Sequence, residues 1–194
     1  MKNQKTLVIH PKDRSTTFLN IIYKGMHNKT VITEGVSKDY LREIIPQYDR
    51  VMIMGHGCPD GLFSIGKFGN CGLVIDRSFV DVLKDNPNNV YIWCNADQFI
   101  NRYQLKGVFS GMFISEVGEA YYCGLPGTDQ DDVDESNFGF CKLVKKYRTL
   151  PSLVIHRRVK NHYGKLAEEN QVAYYNNKRL YFNGMTEKNG VYEN

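Results

Sequence analysis

Two short apolar runs, Val51-Met-Ile-Met-Gly-His56-Gly57 and Val90-Tyr-Ile-Trp-Cys94-Asn-Ala-Asp97, constrain the fold of this chain more than any other feature. Each is closed by polar or turn residues, the pattern of a strand buried on both faces of a parallel sheet. Between them Phe79, Val82 and Leu83 recur at helical spacing after the caps Asp76 or Ser78, and Asn86-Pro87-Asn88 breaks that helix. Strand, helix and strand make one crossover, and a right-handed crossover brings both strand ends to the same carboxyl edge of the sheet. Open α/β sheets build their sites at that edge. His56 and Cys94 are the residues delivered there.

The same alternation runs through the N-terminal part of the chain. Thr6-Leu-Val-Ile9 reads as a first strand, halted by His10-Pro11. Phe18, Leu19, Ile21, Ile22 and Tyr23 follow as a helix capped by Ser15 or Thr16 and closed by Gly25. Thr30-Val-Ile-Thr33 is a second strand, and Ser37 caps a helix that ends at Pro46. Residues 58–71, with Gly61, Gly66 and Gly69, read as a glycine-rich connection, residues 108–115 as a fifth strand, and 116–122 as a short amphipathic piece. This order predicts an α/β fold with a doubly wound, mostly parallel sheet.

The C-terminal part differs. An acidic, turn-rich stretch at 125–135 leads into a helix carrying Phe140, Leu143, Val144 and Tyr147, and Pro151 opens another with Val159 and Tyr163. Residues 174–182 suggest a hairpin or edge strand, and the last ten residues, from Met185, a frayed end. No repeat or long linker interrupts the pattern. Residues 1–194 therefore read as one domain, with the sheet core over 1–122 and a C-terminal helical extension over 123–184.

The net charge of +4 is mixed along the chain rather than gathered into a basic stripe, which argues against nucleic acid as a partner. No apolar run reaches membrane-spanning length, and none before His10 resembles a signal peptide. Cys58, Cys71, Cys94, Cys123 and Cys141 are odd in number, irregularly spaced and without a Cys-x-x-Cys pair. A cytoplasmic protein with reduced thiols, no metal and no cofactor is expected. The oligomeric state is not legible.

Cysteine chemistry needs a base for the thiol proton and N–H donors for an oxyanion. His56 supplies the base and Cys94 the nucleophile, while the N–H groups of Gly57 and Cys94 supply the oxyanion donors. Each residue also has a plain structural use, since a strand-end cysteine is often a small buried hydrophobe and a histidine beside glycine a turn residue.

The order His56-Gly57 then Cys94, at the ends of successive strands, resembles the arrangement of the caspase-like (clan CD) cysteine peptidases, which include caspases, separase, gingipains, clostripain and bacterial CHAT-type domains. The resemblance covers roughly residues 6–122 and implies a caspase-like, Rossmann-type three-layer sandwich with endopeptidase activity on polypeptides. It also implies that residues 107–115, ending at Ser115, line one side of the substrate pocket. The chain departs from the pattern in its spacing of 38 residues between His56 and Cys94, shorter than the roughly 50 of caspases. It departs again at Trp93, where the family carries a small residue, so that either Trp93 packs under the sheet or the site has been repurposed.

Substrate-binding cues conflict. Arg14 sits where a caspase arginine helps to hold an acidic residue, whereas Asp97 and Glu116 follow strand ends where a carboxylate could select a basic one. A second reading from another class is a catalytically silent module that binds a small anionic ligand or a protein partner through Lys12, Arg14 and the adjacent hydroxyls. The acidic run from Asp129 to Glu135 lacks calcium-loop spacing and reads as a solvated loop or helix start, or as a proteolytic activation loop. His156 and His162 read as surface residues.

Overall fold

The computed structural model describes residues 4–64 and 72–184. The expectations for Gly66, Gly69, Cys71 and the chain from Met185 onward lie outside the described residues.

Along the chain, β1 (Thr6–Ile9) leads through a 3-10 turn into α1 (Asn20–Tyr23), followed by β2 (Lys29–Ile32), α2 (Lys38–Ile44) and β3 (Arg50–Met54). Three short strands follow, β4 (Gly57–Cys58), β5 (Gly61–Ser64) and β6 (Gly72–Ile75), then α3 (Val80–Leu83) and β7 (Val90–Ile92). The remainder is α4 (Ala96–Arg102), β8 (Gly107–Ser110), α5 (Val117–Tyr122), α6 (Gln130–Tyr147), α7 (Ser152–Leu166), α8 (Gln171–Asn177) and β9 (Leu180–Asn183).

The main sheet has the order β2-β1-β3-β7-β8-β9. All its pairs are parallel except the last, in which β9 runs antiparallel to β8. Side chains leave each strand on alternate faces, and both faces are buried. Leu7, Ile9, Val51, Ile53 and Tyr91 pack against Leu41, Phe79, Leu83 and Phe99 on the side of α2, α3 and α4. Val8, Met52, Met54, Val90 and Ile92 pack against Ile22, Phe140, Val144, Ile155 and Val159 of α1, α6 and α7. The result is a helix–sheet–helix sandwich. Its order reverses between β1 and β3, the switch point where such sheets open a crevice.

At the opposite edge, Arg50 is fully buried at the foot of β3. Its guanidinium donates to the carbonyls of Asn88, Arg148 and Leu150, tying the α6–α7 turn to the sheet. Burial lowers its pKa to about 10.

The strand and helix expectations hold for β1, β2, β3 and α2, with Ser37 accepting from the Tyr40 N–H as its cap. Several differ. Residues 57–75 contain a small antiparallel sheet, β4-β5-β6, rather than only a loop. The polar stretch after Cys94 is α4, entered through Asn95 at φ 65°. The fifth strand stops at Ser110, and 111–116 is irregular. The acidic run belongs largely to α6, whose start Asp129 caps through the Asp132 N–H, so its carboxylates face a helix N-terminus that favours them. Residues 174–182 divide between the end of α8 and the edge strand β9. His156 is not a surface residue: it lies half-buried, with Nε2 3.1 Å from the Leu180 carbonyl. The C-terminal helices complete one face of the sheet rather than extend from it.

Candidate active site

β3 and β7 are hydrogen-bonded neighbours with Met54 opposite Ile92, so the residues just beyond them, His56 and Cys94, leave adjacent strands at the same edge. Both line one crevice with Thr16, Leu19, Phe113 and Ser115. Its volume, about 20 Å³, admits little more than one water molecule.

The loop after β1 crosses the switch point and reaches His56. Ser15 Oγ lies 2.5 Å from His56 Nε2 and donates to Asp13 Oδ1 at 2.6 Å. A hydroxyl has one proton, so Ser15 can only accept from His56. This fixes the tautomer: Nε2 carries the hydrogen, and Nδ1, which has no hydrogen-bond partner among the described residues, is the basic nitrogen. The hydrogen bond from Ser15 holds the Asp13 carboxyl below its ordinary range, keeping the anchor ionised. Neither Ser15 nor Thr16 caps α1 with its side chain. Thr16 instead meets the buried His10, whose other ring nitrogen meets Tyr23. Burial lowers the His10 pKa to about 4, so this second histidine is a neutral structural group.

Trp93 is a core aromatic. It is 1% exposed, meets Tyr91 and Phe99 edge-on and donates its indole N–H to the Cys58 carbonyl at 3.2 Å. A Cβ on Gly57 would lie 2.2 Å from the indole, so Gly57 is glycine because Trp93 occupies that space. Trp93 thus locks the strand end that follows His56 to the one that carries Cys94. The Phe63 N–H donates to the His56 carbonyl, which makes that pair the hydrogen-bonded one of the β4–β5 ladder. Gly57, opposite Leu62, then directs its N–H away from β5.

The thiol itself is engaged elsewhere. Cys94 Sγ lies 3.4 Å from the Phe113 carbonyl and 3.8 Å from Glu119 Oε1. Burial, reinforced by the Glu119 carboxylate, pushes its pKa up to about 12, so the thiol is protonated at neutral pH. Glu119 Oε2 also accepts from the N–H and hydroxyl of Ser115 and the N–H of Glu116. One carboxylate therefore closes the 113–116 segment over the cysteine.

The remaining expected residues separate into two places. Arg14, Ser115 and Glu116 line a wider cleft of about 670 Å³ beside the crevice. Asp97 lines neither; its Oδ1 is buried without a partner, and its carboxyl carbon lies 3.5 Å from where a side chain on Gly111 would begin. The anion-binding arrangement is poorly served, because the Ser15 and Thr16 hydroxyls are bonded inside the protein and Asp13 adds a negative charge. Asp13, Ser15 as an anchor, and Glu119 were not legible as site residues. Asp13-x-Ser15 after a strand is a turn signal without regard to chemistry, and Glu119 looked like the polar face of a short helix.

No group of three His, Cys, Asp or Glu side chains that could hold a metal occurs among the described residues, and no described helix is long and apolar enough to cross a membrane. Comparison with protein-family models, curated proteins and solved structures finds no match for this chain.

Proposed function

We propose that the chain is a caspase-like cysteine endopeptidase in a closed resting form. The observation that carries this reading is the pairing of His56 and Cys94 on adjacent strand ends in one crevice, with the histidine tautomer fixed by Ser15 and Asp13. Once the 113–116 segment withdraws, Cys94 passes its proton to His56 Nδ1 and Sγ attacks the scissile carbonyl carbon. The N–H groups of Gly57 and Cys94 hold the oxyanion. The C–N bond breaks, the amine leaves with the proton from His56, and a thioester remains. Water, deprotonated by His56, then releases the acid and restores the thiol.

A second reading, a silent module that holds a protein partner, draws on the narrow crevice and the protonated thiol. Peptide hydrolysis by wild type, Cys94→Ala, His56→Ala and the double variant separates the two. The peptidase reading requires turnover that either single change abolishes, with the double costing little more. Absence of turnover across a broad peptide library sinks it.

A further inference from the structure

The outer face of the α6–α7 hairpin carries a charge that the rest of the chain does not. Between Ser136 and Ala167 stand eight lysines and arginines and no aspartate or glutamate. The whole chain nets +4, so the remainder nets −4, and the mixed balance that argued against nucleic acid conceals this block. Folding turns the block into a surface. Phe140, Val144, Ile155, Val159 and Tyr163 face the sheet. Each helix keeps an exposed row on its other side, Lys142, Lys145 and Lys146 on α6, Arg158 and Lys165 on α7. The helices lie side by side, with Tyr147 against His162 and Gly139 against Leu166, so the two rows look outward together. Lys142 and Lys146 lie over the rings of Phe138 and Tyr147, but none of the five cations makes an ion pair among the described residues.

We infer that the outer face of α6 and α7 binds the phosphodiester backbone of duplex nucleic acid without reading its sequence. The inference does not rest on the peptidase reading. The composition of the face selects this occupant. An anionic bilayer takes up apolar side chains along with the charges, and Phe138, near the acidic start of α6, is the one large exposed hydrophobic among the described residues of the two helices. A protein partner is met through aromatic anchors, and its interfaces are poor in lysine. A single strand needs exposed rings on which bases stack. A duplex asks for none of these, because lysine and arginine on rigid helices are enough to hold its phosphates. The two rows stand about as far apart as the axes of packed helices, about 8–10 Å. That matches the phosphate rails flanking a groove about 6–12 Å wide.

The test titrates the full-length protein into short fluorescein-labelled duplexes of unrelated sequence, some DNA and some RNA, and follows anisotropy across a salt series. Micromolar binding at low salt, alike for unrelated sequences, is expected, with log K falling by about 4 per tenfold rise in salt for about five phosphate contacts. The tighter of the two duplex types identifies the source of the backbone. Lys146→Gln combined with Arg158→Gln should weaken binding at least about tenfold and lower the salt slope by about 2. Lys146→Arg with Arg158→Lys should keep both at wild-type values. Arg77→Gln with Lys84→Gln, on the opposite side of the sheet, makes the same change in net charge and should leave binding nearly unchanged. All four side chains are exposed, so melting temperatures should match that of wild type. No saturable binding of either duplex at low salt, equal losses in the two glutamine pairs, single strands bound as tightly as duplexes, or phosphatidylserine vesicles that outcompete the duplex would each overturn the inference.

Discussion

Replacing Glu119 by glutamine should release the Cys94 thiol. The carboxylate Oε1 lies 3.8 Å from Sγ, and its charge opposes formation of the thiolate. The thiol stands about three pKa units above its ordinary value with burial the larger cause, so the carboxylate accounts for at most about half of the rise, roughly thirtyfold in thiolate population. A less basic thiolate is also less nucleophilic, which takes back a little under half of the exponent. The net expectation is a gain of about fivefold in the rate of Cys94 alkylation by iodoacetamide at pH 7.5. Burial, the larger cause of the high pKa, stays in place, so the variant thiol remains slower than an exposed one. Glutamine keeps an acceptor for the N–H groups of Ser115 and Glu116, so the segment should stay folded. Rates are read by peptide mapping, with Cys58 and Cys123 as internal references. An unchanged Cys94 rate, with the fold intact, would refute the reasoning that Glu119 holds the thiol protonated.

Ser15→Ala removes the anchor of His56 and should lower kcat/KM by about 10–100-fold, because a loosened base is misplaced, while the loss of two side-chain hydrogen bonds costs about 1–2 kcal/mol of stability; loss of the folded state altogether would reassign Ser15 to the fold. Gly57→Ala places a methyl against the buried Trp93 ring and the Gly61 carbonyl and should destabilise by about 2–3 kcal/mol in urea unfolding, with wild-type stability as the contradicting result. His10 titrates at about 4 when folded against 6.5 unfolded, so the unfolded state binds the extra proton between those values. Its stability contribution is complete above pH 6.5 and is lost as pH falls toward 4, by roughly 3 kcal/mol in all. His10→Gln should flatten that part of the stability curve, and equal slopes in the two proteins would show that burial does not depress His10.

Much of the fold was legible because buried parallel strands write themselves as uninterrupted apolar runs. Val51 to Met54 and Val90 to Ile92 are both fully or nearly buried, and their neighbouring ends follow from one crossover. The loss of the fifth strand after Ser110 was not legible, since Met112, Phe113 and Ile114 are apolar for a different reason: Phe113 and Ile114 bury themselves beneath the C-terminal helices in an irregular segment. α4 was hidden because Asn95 enters it in a left-handed conformation, with only Phe99 and Ile100 as an apolar face after Ala96. At the site, local pattern located His56 and Cys94 but not their partners. Asp13 and Ser15 reach His56 across 41 and more residues of chain, and Glu119 reaches Cys94 across 25, contacts that only the switch point and the α5 turn create.

The most direct test of the Cys94–His56 pairing is covalent trapping by a set of peptidyl acyloxymethyl ketones, read by intact mass and peptide mapping. The pairing predicts one adduct, on Cys94, absent from Cys94→Ala and strongly slowed in His56→Ala. It also predicts acceleration in Glu119→Gln. Adducts spread over Cys58 and Cys123 at equal rates, or none on Cys94 even in Glu119→Gln, would contradict the assignment of Cys94 as a nucleophile.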